Sequence, residues 1–215
     1  MLSVQRLMND MLYLMPAILI SLTVHEYSHA RAAYALGDPT AFNAGRLTLS
    51  PFSHLDPIGT LCLLFFRFGW AKPVPVNPLY FRNRKRGMAI TALAGPASNI
   101  LLGFLCLTLV YGVATFFRPG LVVQTVVRFL TIMTGINVGL AVFNLLPIAP
   151  LDGAKILFAL LPNHLYNKML YYERMMQPIM FILLMTGILS RPLSYLQVQV
   201  VSAMHRLLRV LFFRF

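Results

Sequence analysis

The sequence predicts an all-α polytopic membrane protein with about five transmembrane helices and a small β-strand or hairpin region after the first. Composition is the first reason. Of 215 residues, 58% are hydrophobic and 11% charged, with a mean hydropathy of +0.72; a soluble domain is about 25% charged. The second is arrangement: the apolar residues form runs of bilayer-crossing length at about 11–36, 88–117, 121–146, 175–189 and 193–213. The fourth run is short and is expected to begin nearer Tyr171. The third is charge placement in a chain of net charge +12. With the N-terminus outside, every Lys and Arg except Arg6, Arg118, Arg128 and Arg191 falls on the cytoplasmic side, as the positive-inside rule requires.

The mildly basic residues 1–10 precede an apolar run, as in a signal peptide. That run is too long for one and carries a polar motif, so it reads as a retained first span. Gly37-Asp38-Pro39 stops this helix. The next fifty or so residues are the least helical of the chain. Leu47-Thr48-Leu49 and Val74-Pro75-Val76 read as extended, and Pro73, Pro75 and Pro78 confine the second stretch to a sheet edge or a turn. Ile58–Phe68 is apolar but too short to cross unaided, and reads as a re-entrant or interfacial segment. The cluster Arg82-Asn83-Arg84-Lys85-Arg86 before the second span is a topology anchor against anionic lipid, and no nucleic-acid partner is expected. Pro147 and Pro150 break the helix of the third span, which is tolerated at membrane depth where backbone lines a polar cavity. Cys62 and Cys106 are isolated and indicate neither a metal site nor a disulfide framework. The whole chain, 1–215, reads as one membrane-embedded domain, with a core at about 11–161 and a C-terminal helical pair at about 171–215.

Inside the first apolar run lies His25-Glu26-Tyr27-Ser28-His29. Histidines four apart share one face of a helix, so both imidazoles can converge on one metal ion. Glu26 is one step round and is placed to act as a general base on water. Ionisable groups at membrane depth need a compensating partner, and one divalent zinc ion would serve for all three. The alternative is a pair of structural histidines with Glu26 as their ion-pair partner.

A catalytic zinc takes three protein ligands and keeps one position open. His25 and His29 supply two, and Asp10, Asp38, Asp56 and Asp152 are the aspartates from which a third could come. Asp152 is best placed, directly after the third span and at the membrane side where the first helix ends. Spacing alone also allows it to be the N-cap of a helix over 153–161. Asn144 is a candidate oxyanion donor or a brace for the broken helix. His54 is a candidate transition-state stabiliser or a loop anchor. Asn99 in Gly95-Pro96-Ala97-Ser98-Asn99 reads as a capping or packing residue, with Gly95 permitting close helix contact.

These motifs carry a resemblance. HExxH in the first span, NxxPxxPLDG over Asn144–Gly153 and GPxxN over Gly95–Asn99 resemble the site-2 protease family of intramembrane zinc metalloproteases. Gly37-Asp38-Pro39, Ser50–Gly59 and Gly69–Pro78 are similar to its compact prokaryotic branch, which carries no PDZ or CBS domain. The resemblance implies one Zn²⁺ held by His25, His29 and Asp152, with Glu26 as general base. It also implies a multi-pass protein of the cell membrane, with its active site toward the cytoplasm, that cleaves transmembrane protein substrates in regulated intramembrane proteolysis. Other classes open to the same residues are a metal-dependent transporter and a catalytically inactive membrane scaffold.

Overall fold

The structure is a computed structural model that describes residues 4–57, 59 and 71–212; most of the Ile58–Phe68 segment lies outside the described residues. Most of the described residues are helical. Among the described residues its α-helices include α1 (Val4–Ala35), α2 (Thr40–Asn43), α3 (Arg84–Phe116), α4 (Leu121–Asn144), α5 (Asp152–Leu160), α6 (Asn163–Glu173), α7 (Gln177–Met185) and α8 (Ser190–Phe212). The helix boundaries follow local chemistry. Gly37, at φ 99°, ends α1 in the left-handed conformation, with Asp38 N–H donating to Ala33 C=O and Gly37 N–H to Tyr34 C=O, the pairing of a Schellman cap. Asn83 caps α3 by accepting the Arg86 N–H through its side chain.

α1, α3 and α4 pack together, α5 folds back against α3, and α8 lies against α4 and α3. Ala17, Cys106 and Met133 form one apolar cluster where α1, α3 and α4 meet. Leu107, Val138, Val142, Met204 and Leu208 form another among α3, α4 and α8. The outer faces are apolar too: Leu101, Leu105, Leu109, Leu121 and Leu211 are exposed. Polar side chains instead turn inward, with Ser21, His25, His29, Asn99 and Asn137 all buried. This distribution suits a lipid solvent. By length and composition α3 and α4 can each cross a membrane, and a third candidate is the pair Pro178–Met185 and Ser190–Phe212, bent by 82°.

Two expectations meet a different arrangement. Among the described residues there is no strand where a β region was expected, only a single antiparallel bridge between Leu55 and Ala71. The reason is that Pro73 and Pro75 offer no N–H, so residues 71–77 form an extended strap tied mainly by side chains. Arg46 Nη2 donates to Lys72 C=O at 2.5 Å, Val74 N–H to Glu26 Oε2 at 3.0 Å and Asn77 N–H to Asp38 Oδ2 at 2.7 Å. The second difference is the direction of α8. His205 and Phe212 contact Tyr111, near the C-terminal end of α3, while Gln197 Nε2 donates to Gly135 C=O of α4. α8 therefore runs in the direction of α3, and Arg206 and Arg209 lie at the opposite end of the bundle from Arg84 rather than beside it. α7, expected as most of a fourth span, has nine residues, about 13 Å of helix, and is too short to cross alone.

Candidate metal centre

His25 and His29 project from one face of α1 toward α3 and α5. The Nε2 atoms of His25 and His29 are 3.0 Å apart, and each lies 3.2 Å from Asp152 Oδ2. All three residues are buried. Asp152 is not a helix cap: the N-cap of α5 is Leu151, with no side-chain capping bond. Two of the other aspartates have different partners. Asp38 accepts from Thr40 and Asn77, and Asp56 accepts the Gly59 N–H. Lys155 Nζ lies 3.8 Å from Asp152 Oδ1.

The residues fit a divalent metal. His29 Nδ1–H donates to Thr91 C=O at 2.7 Å and His25 Nδ1–H to Asn99 Oδ1 at 2.9 Å. An oxygen acceptor opposite each Nδ1 leaves the lone pair on Nε2. Two imidazole lone pairs and a carboxylate oxygen then face one another in a buried site, an arrangement that is repulsive without a cation among them. Donors held tetrahedrally by zinc at 2.0–2.1 Å lie about 3.3–3.4 Å apart, close to the separations observed. The site also requires a glycine beside it. A Cβ on Gly95 would come within 2.5 Å of His29 Nε2 and 2.6 Å of His25 Cε1.

A cavity of about 290 Å³ opens onto this cluster and is lined also by Glu26, Asn144, Lys155 and the Pro73–Val76 strap. Glu26 is thus beside the cluster and outside it, with Oε2 accepting from Val74 N–H. Asn144 donates one N–H to Leu140 C=O at 3.0 Å, which braces the end of α4 and leaves its second N–H for another acceptor. His54 is not in the cavity lining. It is buried, donates from Nε2 to Thr48 C=O at 2.8 Å, and its own carbonyl accepts the Lys72 N–H. Asn99, read from sequence as a capping or packing residue, is buried inside α3 and also accepts from His25 Nδ1. Lys155, which sequence reasoning passed over, is signalled only by its i,i+3 spacing from Asp152.

A family model for peptidase family M50 matches residues 111–187. A Bacillus subtilis (strain 168) protein named "Putative zinc metalloprotease YwhC" is 42% identical over 168 residues, which cover 75% of this chain and 74% of that protein. The chain belongs to peptidase family M50. Other relatives include two proteins named "Putative zinc metalloprotease Rip2". The Mycolicibacterium smegmatis (strain ATCC 700084 / mc(2)155) protein is 35% identical over 63% of this chain, and the Mycobacterium tuberculosis (strain ATCC 25618 / H37Rv) protein 33% over 68%. The chain spans about half the length of each, 52% and 55% respectively. No solved structure matches the chain at a significant level.

Proposed function

We propose that this M50 member is an intramembrane zinc metalloprotease that hydrolyses peptide bonds within or beside the transmembrane segments of membrane-protein substrates. The observation that carries this reading is the buried triangle of His25, His29 and Asp152 with Glu26 on the same cavity. These three residues would hold the metal, and zinc when bound supplies a Lewis acid and makes water acidic enough to ionise near neutral pH. Glu26 takes the proton of the attacking water on its carboxylate and returns it to the leaving amine. The free N–H of Asn144 is suited to the oxyanion that develops on the scissile carbonyl. A helical substrate hides its carbonyls, so it must unwind locally before attack; the Pro73–Val76 strap on the cavity wall is suited to receive the unwound segment by strand addition.

The test compares aspartates. Asp152→Ala should lower zinc occupancy and cleavage of a model transmembrane substrate together, by at least about tenfold at limiting zinc, as the loss of a ligand demands. Asp56→Ala should keep its metal. Asp38→Ala should also keep it, yet unfold at lower temperature, because Asp38 is buried and the N–H groups of Thr40 and Asn77 lose their acceptor, a change worth about 1–3 kcal/mol. An Asp56→Ala protein without zinc beside an Asp152→Ala protein with it would overturn the ligand set. Metal-dependent ion flux without cleavage would select the transporter reading.

In the membrane, α1, α3, α4 and α8 are the proposed crossings among the described residues, in place of five, with the metal centre toward the cytoplasm. The basic cluster at Arg84, Lys85 and Arg86, with Lys72 and Lys155, gathers at the metal-centre end, against Arg118, Arg128, Arg206 and Arg209 at the other. In a protein whose Cys62 and Cys106 are replaced, cysteines at positions 83 and 163 should react with an impermeant thiol reagent only from the cytoplasmic face, and one at position 209 only from outside. Reaction at 83 and 209 from the same face would restore the five-span order.

A further inference from the structure

The orientation of Asn99 is set from two other helices. Asn137 Nδ2 donates both of its hydrogens, to Met133 C=O and to Ser21 Oγ, each at 2.8 Å. Asn137 Oδ1 is therefore turned toward Asn99 and accepts from Asn99 Nδ2 at 3.0 Å. With Nδ2 also reaching the Ser21 carbonyl at the longer distance of 3.5 Å, Asn99 Oδ1 is turned toward His25 Nδ1, at 2.9 Å. Ser21, Asn99 and Asn137 are each fully buried, so no water can replace a missing partner in this chain of bonds. An amide has one end that donates and one that accepts, so the direction at Met133 fixes the direction at every later step.

We propose that Asn137, anchored on the Met133 carbonyl and on Ser21, is a positioning residue for the metal. It acts through Asn99 to hold His25 as the Nδ1–H tautomer, with the Nε2 lone pair on the metal side. This inference rests on the zinc reading of the site. If Asn99 turned over, its NH₂ would face Nδ1, the proton would move to Nε2, and metal binding would first have to expel it and reverse the amide. His29 needs no such device, because its Nδ1–H meets the Thr91 backbone carbonyl, which cannot turn over. The two ligands of one helix are thus oriented by different means, one by backbone and one by a side-chain relay across α3 and α4.

The experiment uses the full chain with ¹⁵N-labelled histidine in lipid nanodiscs. NMR of the metal-free protein reads the tautomer of each ligand, and competition with a chelator reads zinc affinity. In wild type both His25 and His29 should be Nδ1–H. Asn137→Leu should lose the preference at His25 and keep it at His29, with zinc affinity about tenfold weaker, the range for loss of an outer partner. Asn99→Asp offers an acceptor to His25 whichever way it turns, so Asn99→Asp/Asn137→Leu should recover both the tautomer and the affinity. Should Asn137→Leu not fold, Asn137→Ala is read the same way. A wild-type His25 tautomer with wild-type zinc affinity in the Asn137 variant, or a loss the double variant does not restore, overturns the relay. Wild-type protein with His25 as Nδ1–H but without affinity for zinc would leave the relay standing and sink the metalloprotease reading instead.

Discussion

Glu26→Gln is expected to keep its zinc and to lose cleavage by about 10²–10⁴-fold, the usual worth of a positioned general base. The substitution is selective because of where Glu26 stands. It lines the cavity while His25, His29 and Asp152 close the cluster without it, so the ligand set is unchanged. A glutamine has the same shape, and its side-chain oxygen can still accept the Val74 N–H that Glu26 accepts at 3.0 Å, so the strap stays in place. Only the capacity to take a proton is removed. Zinc content per chain and the cleavage rate of a transmembrane substrate, both in liposomes, check the result. Loss of zinc would make Glu26 a ligand, and cleavage at the wild-type rate would remove it from the chemistry.

The parts of this site that are local in sequence are the parts a sequence reveals. His25 and His29 share a helical face because they are four apart, and Glu26 flanks them for the same reason. Asp152 was favoured by its place after a broken helix, yet its alternative as an N-cap is excluded only by the structure, where Leu151 holds that position. The role of Asn99 is hidden because its partner is 74 residues away and asparagine in a helix has many uses. The prolines of the strap marked an extended segment correctly, but no composition rule says that its donors go to Glu26 and Asp38 rather than to a neighbouring strand. The direction of α8 is likewise illegible in an apolar run, which reads the same whichever way it crosses. The sharp bend before it falls at Gly187, with φ 67°, a position where the sequence shows only a glycine within an apolar stretch.

Gly95→Ala is expected to empty the metal centre while leaving the protein folded. Alanine is better than glycine in a helix by about 0.8–1 kcal/mol, so α3 itself should gain. The added methyl, however, would meet His29 Nε2 at 2.5 Å and the Cε1 atoms of both histidines at 2.6 Å, on the side of each ring that faces the metal. Neither ring can turn aside freely. His25 is held through Nδ1 by Asn99, and His29 by the Thr91 carbonyl, so relief requires breaking a buried hydrogen bond, at about 1–3 kcal/mol for the group left unpaired. Backbone separation of α1 from α3 is the other route, and it would open the Asn99–Asn137–Ser21 network that joins α1, α3 and α4. By either route the ligands leave their positions, and zinc affinity should fall by at least about 100-fold, with cleavage falling at the same zinc concentration. Gly112→Ala in the same helix is the control, since a Cβ there meets nothing within 4 Å, and it should leave both unchanged. Circular dichroism and thermal unfolding should show α3 intact in each variant. Wild-type zinc affinity in Gly95→Ala would mean that α1 and α3 do not approach as closely as the packing requires, and the geometry assigned to the centre would have to be withdrawn.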